Sequence, residues 1–387
     1  MDEQRAHLPF LDTLRGFAIL GVFLFHSLGI SFGYDQLPWV HGIRDYSQSK
    51  SFLLLYPLSY GTGGVAVFFV VSGFCIHLSH IRSASKSWGN FVGKRFFRIY
   101  PPYLFAVILF YFGWPFLIGQ DPHNETSWQL ISHLVSIQNL DSKVVFGINP
   151  SFWSIAIEIQ LYAIYPLLLA ISIKHGWTRA LALTALIEIC IRTASTISIN
   201  FFDSPIPQYI FGSPFTFWFS WSTGAYLADC WLIGKQSMLQ KVPFSLCLLL
   251  TMFSSQFRLS EQFGFTAFAL TTAVAIDRLM SGAWTMPKKH LWCFPHLNSL
   301  GCISFSFYLL HQPILFLAPG FLKQLYPNTY MHPLAVLGAC LAFYPMVFLF
   351  SKISYIYIER VSINLGSRLL KSIKLRQLLR QAECKHS

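Results

Sequence analysis

The chain has 387 residues, of which 54% are hydrophobic and only 11% charged, against about 25% charged in a typical soluble domain. Twenty-eight Lys and Arg with 16 Asp and Glu cannot clothe so apolar a chain in water, which excludes a soluble multidomain protein, a disordered chain and a fibre. The net charge of +12 reflects few acids more than many bases, so it reads as a membrane topology signal and not as a nucleic-acid footprint.

The expected fold class is all-α, a polytopic membrane helix bundle. A spanning helix needs about 20 mostly apolar residues, and ten such runs follow one another at 12–30, 61–80, 99–119, 151–173, 179–199, 209–233, 242–257, 262–279, 297–318 and 333–357. The first holds Arg15 and His26 and is followed by no small-x-small cleavage site, so it is expected to remain as a helix and not to leave as a signal peptide. With the N-terminus inside, most Lys and Arg fall on cytoplasmic segments, including Lys94, Arg95, Arg98, Lys174, Arg179, Lys235, Lys241, Lys288 and Lys289. The outer segments hold only Arg44, Lys50, Lys143, Arg258 and Lys323. This asymmetry places both termini in the cytoplasm. Residues 1–358 are expected to form the membrane domain. The basic tail 359–387, with Leu365, Leu369, Leu370, Ile373, Leu375, Leu378 and Leu379, suits a helix lying on anionic membrane lipids. The eight cysteines include no C-x-x-C pair and mostly sit in apolar runs, so neither a disulfide framework nor a metal site is expected.

Ionisable groups inside a bilayer are expensive and therefore mark candidate sites. Arg15 and His26 are 11 residues apart, three turns plus 20°, so they share a face of the first helix about 16 Å apart along its axis. Spacing alone fits equally an anchoring Arg with a hydrogen-bonded structural His. Arg95 and Arg98, three apart at the start of the third span, share a face and offer forked donors to phosphate; ordinary positive-inside charge explains them as well. Ser154, Glu158, Tyr162 and Tyr165 form a polar stripe on the fourth span, where Glu158 needs a partner, and Trp153 suits an interfacial anchor. Ser304, Tyr308 and His311 share a face of the ninth span. Glu188 and Arg192, four apart in the fifth, read as an intrahelical ion pair with a structural role. His77 and His80 suggest no role.

At these stretches the sequence resembles the acyltransferase-3 family of integral membrane acyltransferases, over nearly the whole chain. The resemblance rests on Leu11-Asp12-Thr13-Leu14-Arg15-Gly16 with His26, on Phe68-Phe69-Val70-Val71-Ser72-Gly73-Phe74, and on Arg95 and Arg98 followed by Tyr100-Pro101. It continues through Trp153, Ser154, Glu158 and Tyr162, and through Ser304, Tyr308, Leu309, His311 and Pro313. Five elements in order make a specific match where each alone is weak. The resemblance implies an enzyme of the cell (inner) membrane. It would move an acyl group, usually acetyl, from cytoplasmic acyl-CoA (acetyl-CoA) to a hydroxyl of a surface glycan or lipid-linked sugar, with no metal and no nucleic acid. It makes His26 the catalytic centre and gives Arg15, Arg95 and Arg98 to the donor. Glu158 and His311 are then the groups expected to orient the His26 ring or shuttle its proton. Trp153, Ser154, Tyr162, Ser304 and Tyr308 become substrate contacts or support. Some relatives carry a fused extracytoplasmic hydrolase-like domain with a Gly-Asp-Ser nucleophile. That tripeptide is missing here, so a second transfer step is expected to need a separate extracytoplasmic partner enzyme.

Two other classes fit parts of the pattern. Intramembrane Glu, Arg and His also suit a proton-coupled transporter, but neither an inverted repeat nor paired broken helices is visible. The other large family of membrane O-acyltransferases also uses an intramembrane His, but lacks this arginine pattern. His26 as a general base for direct attack and His26 as a nucleophile through an acyl-imidazole both remain open.

Overall fold

In hydrocarbon the backbone must satisfy its own hydrogen bonds, so long apolar runs become helices. The computed structural model describes residues 8–37, 50–83, 87–118, 126–254, 256–285, 293–327 and 331–386, and among these there is no β-strand. The first half of the chain forms α1 (Pro9–Phe32), α2 (Lys50–Leu55), α3 (Gly64–Ile81), α4 (Trp88–Ile118), α5 (Thr126–Leu134), α6 (Phe152–His175) and α7 (Trp177–Phe202). Then come α8 (Gln208–Phe211), α9 (Trp218–Ile233), α10 (Phe244–Ser254), α11 (Gly264–Met280), α12 (Cys293–Cys302) and α13 (Ser304–Leu315). The chain continues through α14 (Leu317–Leu325), α15 (Pro333–Ala342), α16 (Tyr344–Ser354) and α17 (Arg360–His386).

Eight helical segments among the described residues are long and apolar enough to cross a membrane: Pro9–Phe32, Phe52–Ile81, Trp88–Gly113, Phe152–His175, Trp177–Phe202, Glu261–Met280, Ser304–Leu325 and Pro333–Ile373. They account for eight of the ten expected spans. The other two expected runs, 209–233 and 242–257, become α9 with 16 residues and α10 with 11. The reason is plain for α9. It falls short in length, and its Trp218, Ser220, Trp221, Ser222 and Thr223 are all buried against protein. The expected span 297–318 is broken at Ile303 into α12 and α13. The last span runs on through a π-helical turn at Tyr355–Glu359 into α17. The first part of α17 packs on α4, where Ser362 Oγ donates to the Phe97 carbonyl at 2.7 Å. Arg44, Lys288 and Lys289, which enter the charge asymmetry, lie outside the described residues, as does the end of the tail at Ser387.

Close helix approach is built from glycine, which lets backbones meet. Gly73 of α3 faces the Trp221 carbonyl of α9, and Gly224 of α9 faces the Val70 carbonyl of α3, so a Cβ on either would strike the partner's backbone. In the same way Gly16 of α1 meets the Leu297 carbonyl and Gly301 meets the Asp12 carbonyl, which locks α1 to α12. These contacts hold α3 against α9 and α1 against α12.

Candidate active site

A cavity of about 270 Å³ lies between α1, α3, α4, α6 and α13. Eight of the residues singled out from sequence line it: Arg15, Arg95, Arg98, Ser154, Glu158, Tyr162, Ser304 and Tyr308. α4, α6 and α13 each contribute residues three or four apart, which share a face, and α1 contributes Arg15. α3 adds Ser72 and Cys75 by the same spacing.

The cavity is cationic at one end. Arg15 is held by Asp12 at 3.0 Å and donates to Cys75 Sγ at 3.2 Å. The opening of the first motif thereby acquires a physical meaning: Asp12 fixes the guanidinium, and Gly16 lets α12 close against the helix. Arg95 is partly buried, with its guanidinium 5.7 Å from the Phe91 ring and its Nε buried without a hydrogen-bond partner. Arg98 is exposed. Further in, Glu158 accepts from Ser72 Oγ at 2.6 Å and from the Tyr162 hydroxyl, and Trp221 Nε1 donates to Ser72 Oγ at 3.3 Å. At the far end Ser154 Oγ meets the Tyr308 hydroxyl at 2.8 Å.

Beyond Tyr308 lies a pair of imidazoles. The His26 and His311 rings are 5.2 Å apart, and the Tyr308 ring is 5.5 Å from His311. His311 is fully buried, and its Nδ1 lies 2.8 Å from the Tyr308 backbone carbonyl. A carbonyl only accepts, so Nδ1 carries the proton and neutral His311 keeps a lone pair on Nε2. That Nε2 is buried and has no hydrogen-bond partner. His26 is only partly buried, and its Nδ1 lies 2.9 Å from the Tyr34 hydroxyl. Burial pushes the Tyr34 phenol above its usual range.

The structure therefore brings His311 to His26, whereas Glu158 keeps company with Ser72 and Tyr162 inside the cavity. Trp153 faces a different chamber, a second cavity of about 470 Å³ lined also by Arg192, Phe217, Phe265 and Gln208. The Phe69 ring, 5.5 Å from both Phe217 and Phe265, stands between the two cavities. Glu188 and Arg192 do form an ion pair, at 3.2 Å. Arg192 also donates to the carbonyls of Gln262 and Thr216, and Glu188 accepts from Ser220 and Thr266. The pair thus ties α7 to the starts of α9 and α11.

Some residues gave no signal of their own. Ser72 was legible only as a position of the motif that carries the resemblance, with no role attached, and Cys75 not at all as a site residue. Tyr34, Ser151 and Gln312 stand outside or between the motif positions. His77 bridges three helices, with Nδ1 3.0 Å from the Tyr165 hydroxyl and Nε2 3.2 Å from Asp229, and His80 stacks on Trp88. Among the described residues no cluster of His, Cys, Asp and Glu has metal-binding geometry.

Comparison with known proteins agrees with this architecture. A family profile described as an acyltransferase domain matches residues 8–352. The O-acetyltransferase OatA of Staphylococcus aureus is 26% identical over 91% of this chain and 57% of its own length. The peptidoglycan O-acetyltransferase OatA of Listeria monocytogenes is 24% identical over 92% of this chain and 56% of its own. The acyltransferase MdmB of Streptomyces mycarofaciens is 29% identical over 49% of this chain and 47% of its own. The chain spans about half the length of the curated relatives it matches, and no solved structure matches it. The extent of the profile match and the eight helices able to cross a bilayer make the chain an integral membrane member of the acyltransferase-3 family.

Proposed function

We propose that the protein is a membrane O-acyltransferase that moves an acyl group, in the first instance acetyl, from acyl-CoA to a hydroxyl of a cell-envelope glycan or lipid-linked sugar. The observation that carries this is the single cavity with three guanidinium groups at one end and the imidazole pair behind its other end. The CoA phosphates sit at Arg98 and Arg95, where forked donors suit phosphate oxygens. The cavity is too small for a whole nucleotide and takes the acyl-pantetheine arm. Arg15 and His26 are about 16 Å apart along α1 at 1.5 Å per residue, a span matched to that arm. The positive-inside pattern puts the arginine end at the cytoplasm and His26 toward the outer face.

Chemically, the acceptor oxygen forms a new C–O bond to the acyl carbon as the thioester C–S bond breaks. The hydroxyl proton passes to the imidazole pair, and CoA leaves as a thiolate that takes up a proton. In a two-step version His26 itself first takes the acyl group and then yields it to the acceptor, with the same overall balance. Either way His311 Nε2, with its lone pair fixed by the Tyr308 carbonyl, is the base beside His26. Glu158 belongs to the donor cavity. The relatives' names include peptidoglycan O-acetylation, which supports a glycan acceptor.

The test uses membranes containing the full chain, radiolabelled acetyl-CoA, and recovery of alkali-labile label in envelope glycan. Wild-type protein transfers label, and His26→Ala at equal abundance and thermal stability does not. Transfer by well-folded H26A at a rate near wild type refutes the assignment.

A further inference from the structure

Tyr34 lies outside every motif that carries the family resemblance. Its position is nevertheless built. Gly33 ends α1 with φ +96°, a backbone conformation that favours glycine. The turn folds Tyr34 back onto the helix it has just left. There the ring occupies the space over Gly29, where a Cβ would collide with it. Two glycines four apart thus make the turn and the seat, and they deliver the hydroxyl to 2.9 Å from His26 Nδ1.

The hydroxyl is in turn held from the far side. Gln312 Nε2 donates to it at 3.3 Å, and Ser151 Oγ donates to Gln312 Oε1 at 2.5 Å. Ser151 is itself fixed, because its N–H donates to Asn149 Oδ1 at 2.9 Å, and Asn149 Nδ2 donates to the Leu309 carbonyl at 2.9 Å. The Leu309 carbonyl can only accept and the Ser151 N–H can only donate, so the Asn149 amide has one orientation. The chain runs from the start of α6 through α13 to the end of α1.

We infer that Tyr34 is the positioning residue of His26: its hydroxyl holds Nδ1, which leaves Nε2 of His26 as the nitrogen presented to the acyl group or the acceptor hydroxyl. The Tyr34 oxygen accepts from Gln312, and its hydroxyl engages His26 Nδ1. An imidazole whose Nδ1 is held by an oxygen has its ring orientation set by that bond. The same device orients His311, where the oxygen is the Tyr308 carbonyl. Both rings of the pair are therefore held at Nδ1 and present Nε2. This inference rests on the assignment of His26 proposed above.

The experiment measures acetyl transfer from radiolabelled acetyl-CoA in membranes containing the full chain, with protein quantified by immunoblot. Tyr34→Phe keeps the ring over Gly29 and removes the hydroxyl. It is expected to lower kcat about 3- to 10-fold, the range for one neutral hydrogen bond, with the acetyl-CoA KM unchanged. Gln312→Met removes the support without touching the end of α1 and is expected to lower kcat less. The double variant should be no slower than Tyr34→Phe alone, since the two act through one bond. A Tyr34→Phe protein with wild-type kcat overturns the inference, as does a double variant whose losses multiply or a loss that appears in KM. If Tyr34→Phe proves unstable, the same kcat-only loss in Gln312→Met supports the inference, and its absence overturns it. His26→Ala separates the two levels. A silent Tyr34→Phe beside an inactive His26→Ala defeats only the positioning role, whereas an active His26→Ala defeats the assignment of His26 itself.

Discussion

The two arginines of the third span are equivalent in sequence but not in structure, and this sets an order of effects. Arg95 lines the cavity partly buried, with Nε desolvated and unpartnered, whereas Arg98 is exposed at the mouth. A charge-assisted hydrogen bond made in a desolvated site is worth about 1.5–3 kcal/mol, so Arg95→Ala should weaken acetyl-CoA binding roughly 10- to 150-fold. An exposed contact is worth about 0–1 kcal/mol, so Arg98→Ala should cost about 5-fold at most. Salt screens the exposed contact far more than the buried one. Raising ionic strength should therefore erase the Arg98→Ala difference and leave most of the Arg95→Ala difference. Arg95→Lys, which keeps charge but loses the fork, should fall between wild type and Arg95→Ala. The assay is the acetyl-CoA Kd of detergent-solubilised full-length protein at low and high salt. Equal losses in the two alanine variants, or a Kd unchanged in both with only abundance reduced, would show that the arginines set topology and do not serve the donor.

Gly73→Ala and Gly224→Ala each drive a Cβ into a backbone carbonyl of the partner helix, so each should destabilise by about 1–3 kcal/mol or more, read as a lower unfolding temperature and lower abundance. Gly320→Ala, where a Cβ meets open space, is the matched control and should be neutral; equal effects at all three would refute the packing argument. Arg192→Met leaves Glu188 buried without its counter-charge, which typically costs about 3–5 kcal/mol. Adding Glu188→Gln should restore part of the unfolding temperature, and a single variant as stable as wild type would remove the structural role of the pair.

Helices were legible where lipid or core demands apolarity over twenty residues, and eight of the ten expected spans are of that kind. The reading was weakest where burial is provided by protein. α9 is 16 residues long, and its Ser220, Ser222 and Thr223 are buried where it packs on α3, α7 and α11, packing that a hydropathy window has no way to see. Much of the donor cavity was legible, because 95 and 98, or 154, 158 and 162, are spaced to share a helix face. What joins the faces was not. Whether Glu158 meets His26 or Ser72 depends on how α6 and α3 are rotated about their axes, and α3 is fixed against α9 by the glycine contacts at 73 and 224. Tyr34 was invisible for a different reason: its position depends on a positive-φ turn, not on a periodicity.

Glu158 is where the structure changes the expected outcome. On sequence grounds a carboxylate at that depth was a candidate to charge or orient His26, and Glu158→Gln would then lower kcat and leave donor affinity alone. In the fold both of its hydrogen-bond donors, Ser72 and Tyr162, reach the same oxygen, Oε1. A glutamine can keep both bonds, so the substitution removes a charge and little else. That charge lines the cavity proposed to receive a polyanionic donor, and it opposes the donor phosphates. Across an effective dielectric of ~20, one such repulsion within the cavity is worth on the order of 1 kcal/mol. Glu158→Gln should therefore tighten acetyl-CoA binding roughly 5-fold, with kcat within a factor of about three of wild type. The measurement is Kd and kcat on the same preparation, with an unfolding temperature to confirm the fold. A kcat reduced a hundredfold at unchanged Kd would contradict this. It would mean that the carboxylate acts on the reacting atoms, and that during turnover α6 or the Tyr308 side chain moves far enough to open the cavity to His26.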